Sequence, residues 1–110
     1  MTNNDKVPEL TNREFEDFTK RGLVLIDFFA EWHMPCLIME PIINELGERF
    51  KGKIKFGRVD VSENQELTQK LNIISIPNFT LFKDRQILEQ FVGSMSSEEM
   101  EEKLEKFLEQ

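Results

Sequence analysis

The sequence predicts a single α/β domain whose mixed β-sheet, built from parallel strands and an antiparallel hairpin, has helices on both faces. Three observations support this fold class. The 110 residues suffice for one continuous core but not for two, so we expect one domain over residues 1–110. Strand-like and helix-like segments alternate through most of the chain, which favours parallel strands joined by helical crossovers. Two strand-like segments near the C-terminus are joined by a short link, which favours a hairpin.

The first helix has clear start and stop signals. Thr11 and Glu14 have the spacing of a capping box, in which two side chains satisfy backbone N–H groups at the start of a helix. We expect the helix to continue through Lys20 and Arg21 and to stop at Gly22, since glycine readily takes the left-handed conformation that ends helices.

The first strand, residues 23–29, is apolar on both faces except for Asp27. Such a run is typical of a central strand that is covered on both sides. Burial there should raise the pKa of the Asp27 carboxyl group, because a surrounding of low dielectric constant disfavours the charged form.

A long helix and a second strand are predicted next. Apolar residues recur at helical spacing from Pro35 to Phe50, and Pro41 inside this segment should kink the helix. Residues 54–61 are predicted to form a strand. Because a helical crossover joins it to the first strand, the two strands should be parallel.

A short helix and a hairpin are predicted for the following segment. Ser62 and Gln65 have the spacing of a second capping box, and Asn72 is expected to end this helix in a left-handed conformation. Residues 79–82 and 87–92 are predicted as the two hairpin strands. The turn between them lacks glycine, so its type is not predicted.

The last helix should begin at Ser96 and Glu99, which again have the capping spacing. Met100 and Leu104 lie on one apolar stripe that should face the core. The glutamate-rich run over residues 98–102 is expected on the solvated face of this helix.

Charge and composition argue against several classes of function. The formal net charge is −7, whereas binding to nucleic acid or to an anionic membrane calls for basic surfaces. No apolar run is long enough to span a bilayer, and the polar start lacks the apolar stretch of a secretory signal. The single cysteine offers no disulfide framework, which fits a reducing compartment, so we expect a soluble cytoplasmic protein.

Chemistry is expected where the central strand ends and the long helix begins. This segment, residues 28–36, reads Phe-Phe-Ala-Glu-Trp-His-Met-Pro-Cys. Sites in open α/β sheets form beyond the carboxyl ends of strands. A helix N-terminus also favours a thiolate, because its unpaired N–H groups carry a partial positive charge.

The same segment resembles the active-site motif of the thioredoxin family. The run D-F-F-A-E-W-H-M-P-C is similar to D-F-W-A-x-W-C-G-P-C, with the first cysteine changed to His33. Further family marks, spaced as in the family, cover roughly residues 7 to 110. They are the cis-proline loop at Ile76-Pro77, the glycine after the last strand at Gly93, the helix kink at Pro41, and the strand facing the buried acid at Arg58-Val59-Asp60. The resemblance implies a thioredoxin fold with a cis bond before Pro77.

The resemblance also implies a disabled or altered reaction. In the family, the first cysteine of C-x-x-C attacks a substrate disulfide and the second resolves the mixed disulfide. This chain has His33 at the attacking position and Cys36 at the resolving position, and Asp27 corresponds to the buried acid that moves the proton of the second cysteine. Disulfide exchange needs a second thiol, which imidazole cannot replace. The resemblance assigns substrate contacts to Trp32, Pro35, Ile76, Pro77 and Gly93.

Partners follow from the resemblance, and several alternatives stay open. It implies protein disulfides as substrates and an NADPH-linked thioredoxin reductase as a partner. No cofactor and no metal is predicted, because His33 and Cys36 supply two ligands and a closed zinc site needs four, unless two molecules share the metal. Burial would make Cys36 an inert thiol, which we favour, whereas a His33–Cys36 pair would stabilise a reactive thiolate. The chain is alternatively a non-catalytic peptide-binding module, and His33 is either natural or an engineered replacement.

Overall fold

The computed structural model describes residues 6–109, in which eight regular elements follow one another along the chain. The elements are α1 (Asn12–Phe18), β1 (Leu23–Phe29), α2 (Met34–Arg49), β2 (Lys55–Asp60), α3 (Gln65–Lys70), β3 (Asn78–Lys83), β4 (Gln86–Val92) and α4 (Ser97–Leu108). Within residues 6–109, no helix is long and apolar enough to cross a membrane.

The four strands form one mixed sheet in the order β2-β1-β3-β4. Strands β1 and β2 are parallel, because α2 returns the chain to the end of the sheet at which β1 began before β2 begins. Strand β3 is antiparallel to both β1 and β4. The predicted mixed sheet, with a parallel pair and an antiparallel hairpin, is confirmed.

Two apolar clusters lie on opposite faces of the sheet, and alternation along β1 separates them. Leu25 packs in the cluster that contains residues of α2 and α4. Val24, Ile26 and Phe28 pack in the cluster that contains residues of α1 and α3. Because side chains two residues apart share one face of a strand, Asp27 is on the same face as Leu25, under α2.

The predicted end of the first helix is wrong. Helix α1 ends at Phe18 rather than continuing to Arg21, because the Thr19 hydroxyl and N–H both bond to the carbonyl of Phe15 and close the last turn. Gly22 does take a left-handed conformation, with φ at +74°, but it lies beyond Thr19 in the link to β1.

The predicted capping box at Ser62 is also wrong, because Asn64 is the N-cap of α3. The backbone N–H of Ser62 donates to the carboxylate of Asp60 at 2.8 Å, which holds this segment in a turn. The Asn64 side chain donates to the carbonyl of Asp60 and accepts from the backbone N–H of Asn12. These bonds hold residues 60–64 in a turn, and α3 begins after it, at Gln65.

Other local predictions are confirmed. Ser96 caps α4 by accepting from the Glu99 N–H at 3.1 Å, and Asn72 follows the end of α3 with φ at +59°. The hairpin turn has positive φ at both Asp84 and Arg85, the pattern of a two-residue turn that follows the twist of its strands.

Candidate functional site

The candidate site forms where β1 passes into α2. His33 is the N-cap of α2, and Pro35 lies in the first turn, where its missing N–H leaves no helical bond unmade. The His33 side chain makes no capping hydrogen bond. Its Nδ1 instead lies 3.3 Å from the Sγ of Cys36, one helical turn further on. The first turn of α2 thus brings together the two residues predicted at the attacking and resolving positions.

Cys36 is a buried free thiol, with only 1% of its surface exposed. Burial raises the pKa of this thiol above its ordinary value, and the nearby charge of Asp27 raises it further. A backbone hydrogen bond from Ala30 and the charge of Arg58 act in the opposite direction but do not cancel the effect of burial. The protonated form is therefore favoured at neutral pH, which supports the interpretation of Cys36 as an inert thiol.

Asp27 is buried in the central strand, and its two carboxylate oxygens have different surroundings. Oδ2 accepts a hydrogen bond from Nε of Arg58 at 3.3 Å. Oδ1 is buried and has no hydrogen-bond partner within residues 6–109. Burial is the largest cause that raises the pKa of Asp27 to about 6, against the lowering effect of Arg58, and the charge of Glu40 adds to the rise.

Arg58 joins the strands to the helix above them. Its guanidinium lies 3.9 Å from the ring centroid of Phe29, and its Nη1 lies 3.4 Å from a carboxylate oxygen of Glu40 in α2. The cation is therefore shared between Asp27 and Glu40. Glu40 is absent from the sequence-based site prediction, although its position four residues after Cys36 places both on one helical face.

Trp32 is the most exposed of the predicted site residues, at 72%. Its Nε1 donates to the hydroxyl of Ser62 at 3.3 Å, and its ring meets the His33 imidazole edge-on at 5.6 Å between centroids. Ile74, which sequence analysis did not single out, is 93% exposed, and Met34 is also exposed. A large exposed aromatic ring held by a polar tip is typical of protein contact sites.

The Ile76-Pro77 peptide bond is cis, as the resemblance implied. Pro77 is buried and Ile76 is half-buried. The carbonyl of Pro77 accepts from the N–H of Gly93 at 2.9 Å, and Gly93 has φ at +99°, a conformation that favours glycine. Pro77 and Gly93 are thus joined directly, whereas the imidazole of His33 contacts Trp32 and Cys36.

Within residues 6–109, no group of three or more His, Cys, Asp or Glu side chains is arranged to hold a metal ion. His33 and Cys36 provide two donor atoms. A closed tetrahedral site would need two more ligands from outside this group.

Comparisons with known proteins agree with this fold. The family model described as Thioredoxin matches residues 6–106. The thioredoxin of Listeria monocytogenes serovar 1/2a is 35% identical over 102 residues, covering 93% of this chain and 99% of that protein. The thioredoxin of Bacillus subtilis is likewise 35% identical, covering 93% of this chain and 98% of that protein. The solved structure of a mutant thioredoxin from Halobacterium salinarum NRC-1 has a TM-score of 0.85 at 27% identity, covering 98% of this chain and 96% of that chain.

Proposed function

This chain belongs to the thioredoxin family, and from that premise we propose that it recognises disulfide-bearing proteins without completing the dithiol cycle. The observation that carries the proposal is the contact of His33 with Cys36. An imidazole nitrogen lies 3.3 Å from the sulfur of Cys36, at the position where the family has its attacking cysteine. The site keeps the architecture of a disulfide reductase and lacks one of its two sulfurs.

The parent reaction needs both sulfurs. A thiolate at position 33 attacks one sulfur of a substrate disulfide, forms a mixed disulfide and releases the other substrate sulfur as a thiolate. The Cys36 thiolate then attacks the sulfur at position 33, releases the second substrate sulfur and leaves a disulfide between positions 33 and 36. Two electrons pass from the chain to the substrate. With His33 present, neither bond to position 33 forms, so the cycle stops before its first step.

Cys36 does not replace the missing nucleophile. Its thiol is buried and its pKa is raised, so little thiolate is present at neutral pH. If Cys36 did attack a substrate disulfide, the chain would hold no second thiol to release the mixed disulfide. The product would persist until an external thiol reduced it, which is a stoichiometric reaction and not turnover.

Asp27 is proposed as the group that takes and returns the proton of Cys36 in the parent reaction. Its pKa of about 6 lies near physiological pH, which suits a group that must both accept and donate a proton. Its Oδ1, unpartnered within residues 6–109, is the atom on which a proton would be held. In this chain no mixed disulfide forms at position 33, so the transfer of a proton from Cys36 to Asp27 has no reaction step to serve.

Substrate recognition is proposed for Trp32, Pro35, Ile76, Pro77 and Gly93. The exposure of Trp32 supports a contact with partner proteins. The hydrogen bond from the N–H of Gly93 to the carbonyl of Pro77 holds two loops against each other, which would give an extended peptide a fixed backbone surface. An NADPH-linked thioredoxin reductase is the proposed electron donor of the parent reaction, and a cytoplasmic location is proposed from the family and the single cysteine.

Insulin reduction by NADPH and thioredoxin reductase tests the proposal. The chain should give no turnover, and His33→Cys should give turnover because it restores the second sulfur. His33→Ser is the matched control, since it removes the imidazole and adds no thiol, and it should remain inactive. Catalytic turnover by the unsubstituted chain, which has His33, with no other thiol present, would contradict the proposal.

A second candidate function is a binding module without any redox chemistry. The exposed apolar side chains of Trp32, Met34 and Ile74 favour it, because such side chains are more often buried when they have no partner. Reduced and alkylated insulin B chain serves as an extended peptide probe. If this peptide binds to the unsubstituted chain while His33→Cys gives no turnover, the binding module is the better description.

A further inference from the structure

A second candidate site lies at the end of the molecule opposite His33. We call it the basal cleft, a cavity of about 320 Å³ whose lining includes Val7, Phe18, Lys51, Ile54, Lys55 and Phe56. Lys51 lies just beyond the C-terminal end of α2, and Lys55 is the first residue of β2. Because α2 has 16 residues, its two ends are about 24 Å apart, so the basal cleft is separate from the candidate redox site.

The floor of the basal cleft is apolar. Ile54 and Phe56 are buried, whereas Val7 and Phe18 are half-buried and form its walls. Gly47 permits this arrangement, since a Cβ at that position would lie 2.9 Å from Cγ2 of Val7. A cavity of this size with an apolar floor is at the lower end of the range for small-molecule sites.

The rim of the basal cleft is basic, although the chain as a whole carries a net negative charge. The cleft and an adjoining recess of about 230 Å³, which shares Gly52, Ile54 and Lys55 with it, are lined by five basic residues and one acidic residue. The formal net charge of the chain is −7. The basic residues are Lys6, Arg21, Lys51, Lys53 and Lys55, and the acidic residue is Glu48.

These cations are only weakly neutralised by the protein. Lys51 and Glu48 are 4.0 Å apart, and both side chains are largely exposed. Within residues 6–109, neither Lys53 nor Lys55 forms an ion pair with a carboxylate. The ammonium group of Lys55 instead lies 4.4 Å from the ring centroid of Phe18, directly at the apolar wall. Positive charge and apolar surface therefore meet at one place.

We propose that the basal cleft binds a medium-chain fatty-acid anion. The acyl chain would lie between the half-buried walls formed by Val7 and Phe18, over the buried floor at Ile54, where its own apolar surface is removed from water. The carboxylate would lie at the rim near Lys51 and Lys55, whose flexible stems cover apolar surface while their charged ends stay in water. A polynucleotide is a poorer occupant, because it would also meet the acidic remainder of the surface.

Titration of the full-length ¹⁵N-labelled chain with sodium decanoate, below the concentration at which it forms micelles, tests the proposal. Amide signals of Lys6, Val7 and residues 47–56 should shift and saturate. The exposed lysines allow a charge test, and K51E/K55E should weaken decanoate binding by about tenfold or more, since it places two negative charges beside the carboxylate. The matched control K70E/K106E makes the same change in net charge on exposed lysines of α3 and α4 and should leave binding unchanged.

Several results would overturn the proposal. They are an absence of saturable shifts, equal binding of decyltrimethylammonium, equal weakening by K70E/K106E, and shifts centred on residues 32–36 and 74–77. The proposal would also be overturned if a polyglutamate peptide, which has no apolar residues, bound as tightly as decanoate, because binding would then depend on negative charge alone. Insulin reduction by His33→Cys should be unchanged by K51E/K55E, so this site and the proposed redox function succeed or fail separately.

Discussion

Nδ1 of His33 lies 3.3 Å from Sγ of Cys36, and the thiol beneath the imidazole is 1% exposed. A nitrogen of His33 therefore lies next to the single sulfur of a cysteine in this chain, and that cysteine is buried. The thiol is therefore poorly accessible to reagents in solution and mostly protonated at neutral pH.

Alkylation of Cys36 by iodoacetamide should be slow at pH 7 and should accelerate only well above the pH at which an ordinary cysteine reacts. Burial raises the pKa of the thiol, so the thiolate fraction is small, and it also blocks access of the reagent. We expect a rate at least about tenfold below that of the chain unfolded in urea. Mass spectrometry of timed samples measures it. Rapid labelling of the folded chain at pH 7 would show that His33 activates the thiol.

Asp27→Asn should stabilise the protein at pH 7–8 and have little effect near pH 4. The pKa of Asp27 is about 6 in the folded chain against an ordinary value of 3.8, so the folded state binds more protons between these values. The contribution of Asp27 to the free energy of unfolding is therefore fully present below pH 3.8, and it is lost as the pH rises through about 6 and the carboxyl group ionises. Above pH 7 this pKa shift makes the free energy of unfolding of Asp27→Asn higher than that of the unsubstituted chain by about 3 kcal/mol at most.

Urea unfolding of the unsubstituted chain and of Asp27→Asn, from pH 4 to pH 8, measures the difference between their free energies of unfolding. The gap between the two free energies of unfolding should widen as the pH rises. Asp17→Asn is the matched control, because Asp17 is exposed and belongs to α1 on the surface. A gap that stays constant with pH would contradict a raised pKa for Asp27.

Glu40→Gln should lower the pKa of Asp27. The negative charge of Glu40 raises that pKa directly, and its contact with Nη1 also draws Arg58 away from full pairing with Asp27. Both effects disappear in the amide. Carboxyl ¹³C chemical shifts followed by NMR across pH report the titration of Asp27. Glu45→Gln, an exposed residue on the same helix that pairs with Arg49, should leave the midpoint unchanged.

Trp32→Ala should change the free energy of unfolding by no more than about 0.5 kcal/mol, because its side chain is 72% exposed. In the His33→Cys background the same substitution should reduce insulin reduction several-fold, since it removes the largest exposed aromatic surface at the site. Thermal unfolding and the reductase-coupled assay measure the two effects. Full retention of activity would exclude Trp32 from substrate contact.

Gly93→Ala should lower both stability and activity in the His33→Cys background. Its φ of +99° strains any residue with a Cβ, so we expect a loss of about 1–2 kcal/mol. The N–H of Gly93 donates to the carbonyl of Pro77, so strain at this position also disturbs the proposed peptide surface. Gly22→Ala is the matched control, since Gly22 also has positive φ and joins α1 to β1, away from Pro77. It should cost comparable stability and leave activity intact.

Local signals in the sequence predicted much of this protein. The capping residues Thr11 and Ser96, the left-handed Asn72 and the doubly covered strand around Asp27 all followed from residues within a turn or two of one another. These signals hold because caps and strand alternation depend on neighbours along the chain. The motif around His33 and Cys36 likewise indicated the family and the missing sulfur.

Contacts between distant segments are what the sequence did not reveal. Asn64, whose side chain bonds to the N–H of Asn12, is the N-cap in place of Ser62. Arg58 is shared with Glu40 because α2 packs over the sheet. The basal cleft is assembled from several separate stretches of the chain. A hydrogen bond or an ion pair between such stretches depends on their packing in three dimensions, and burial then sets the pKa values of Asp27 and Cys36.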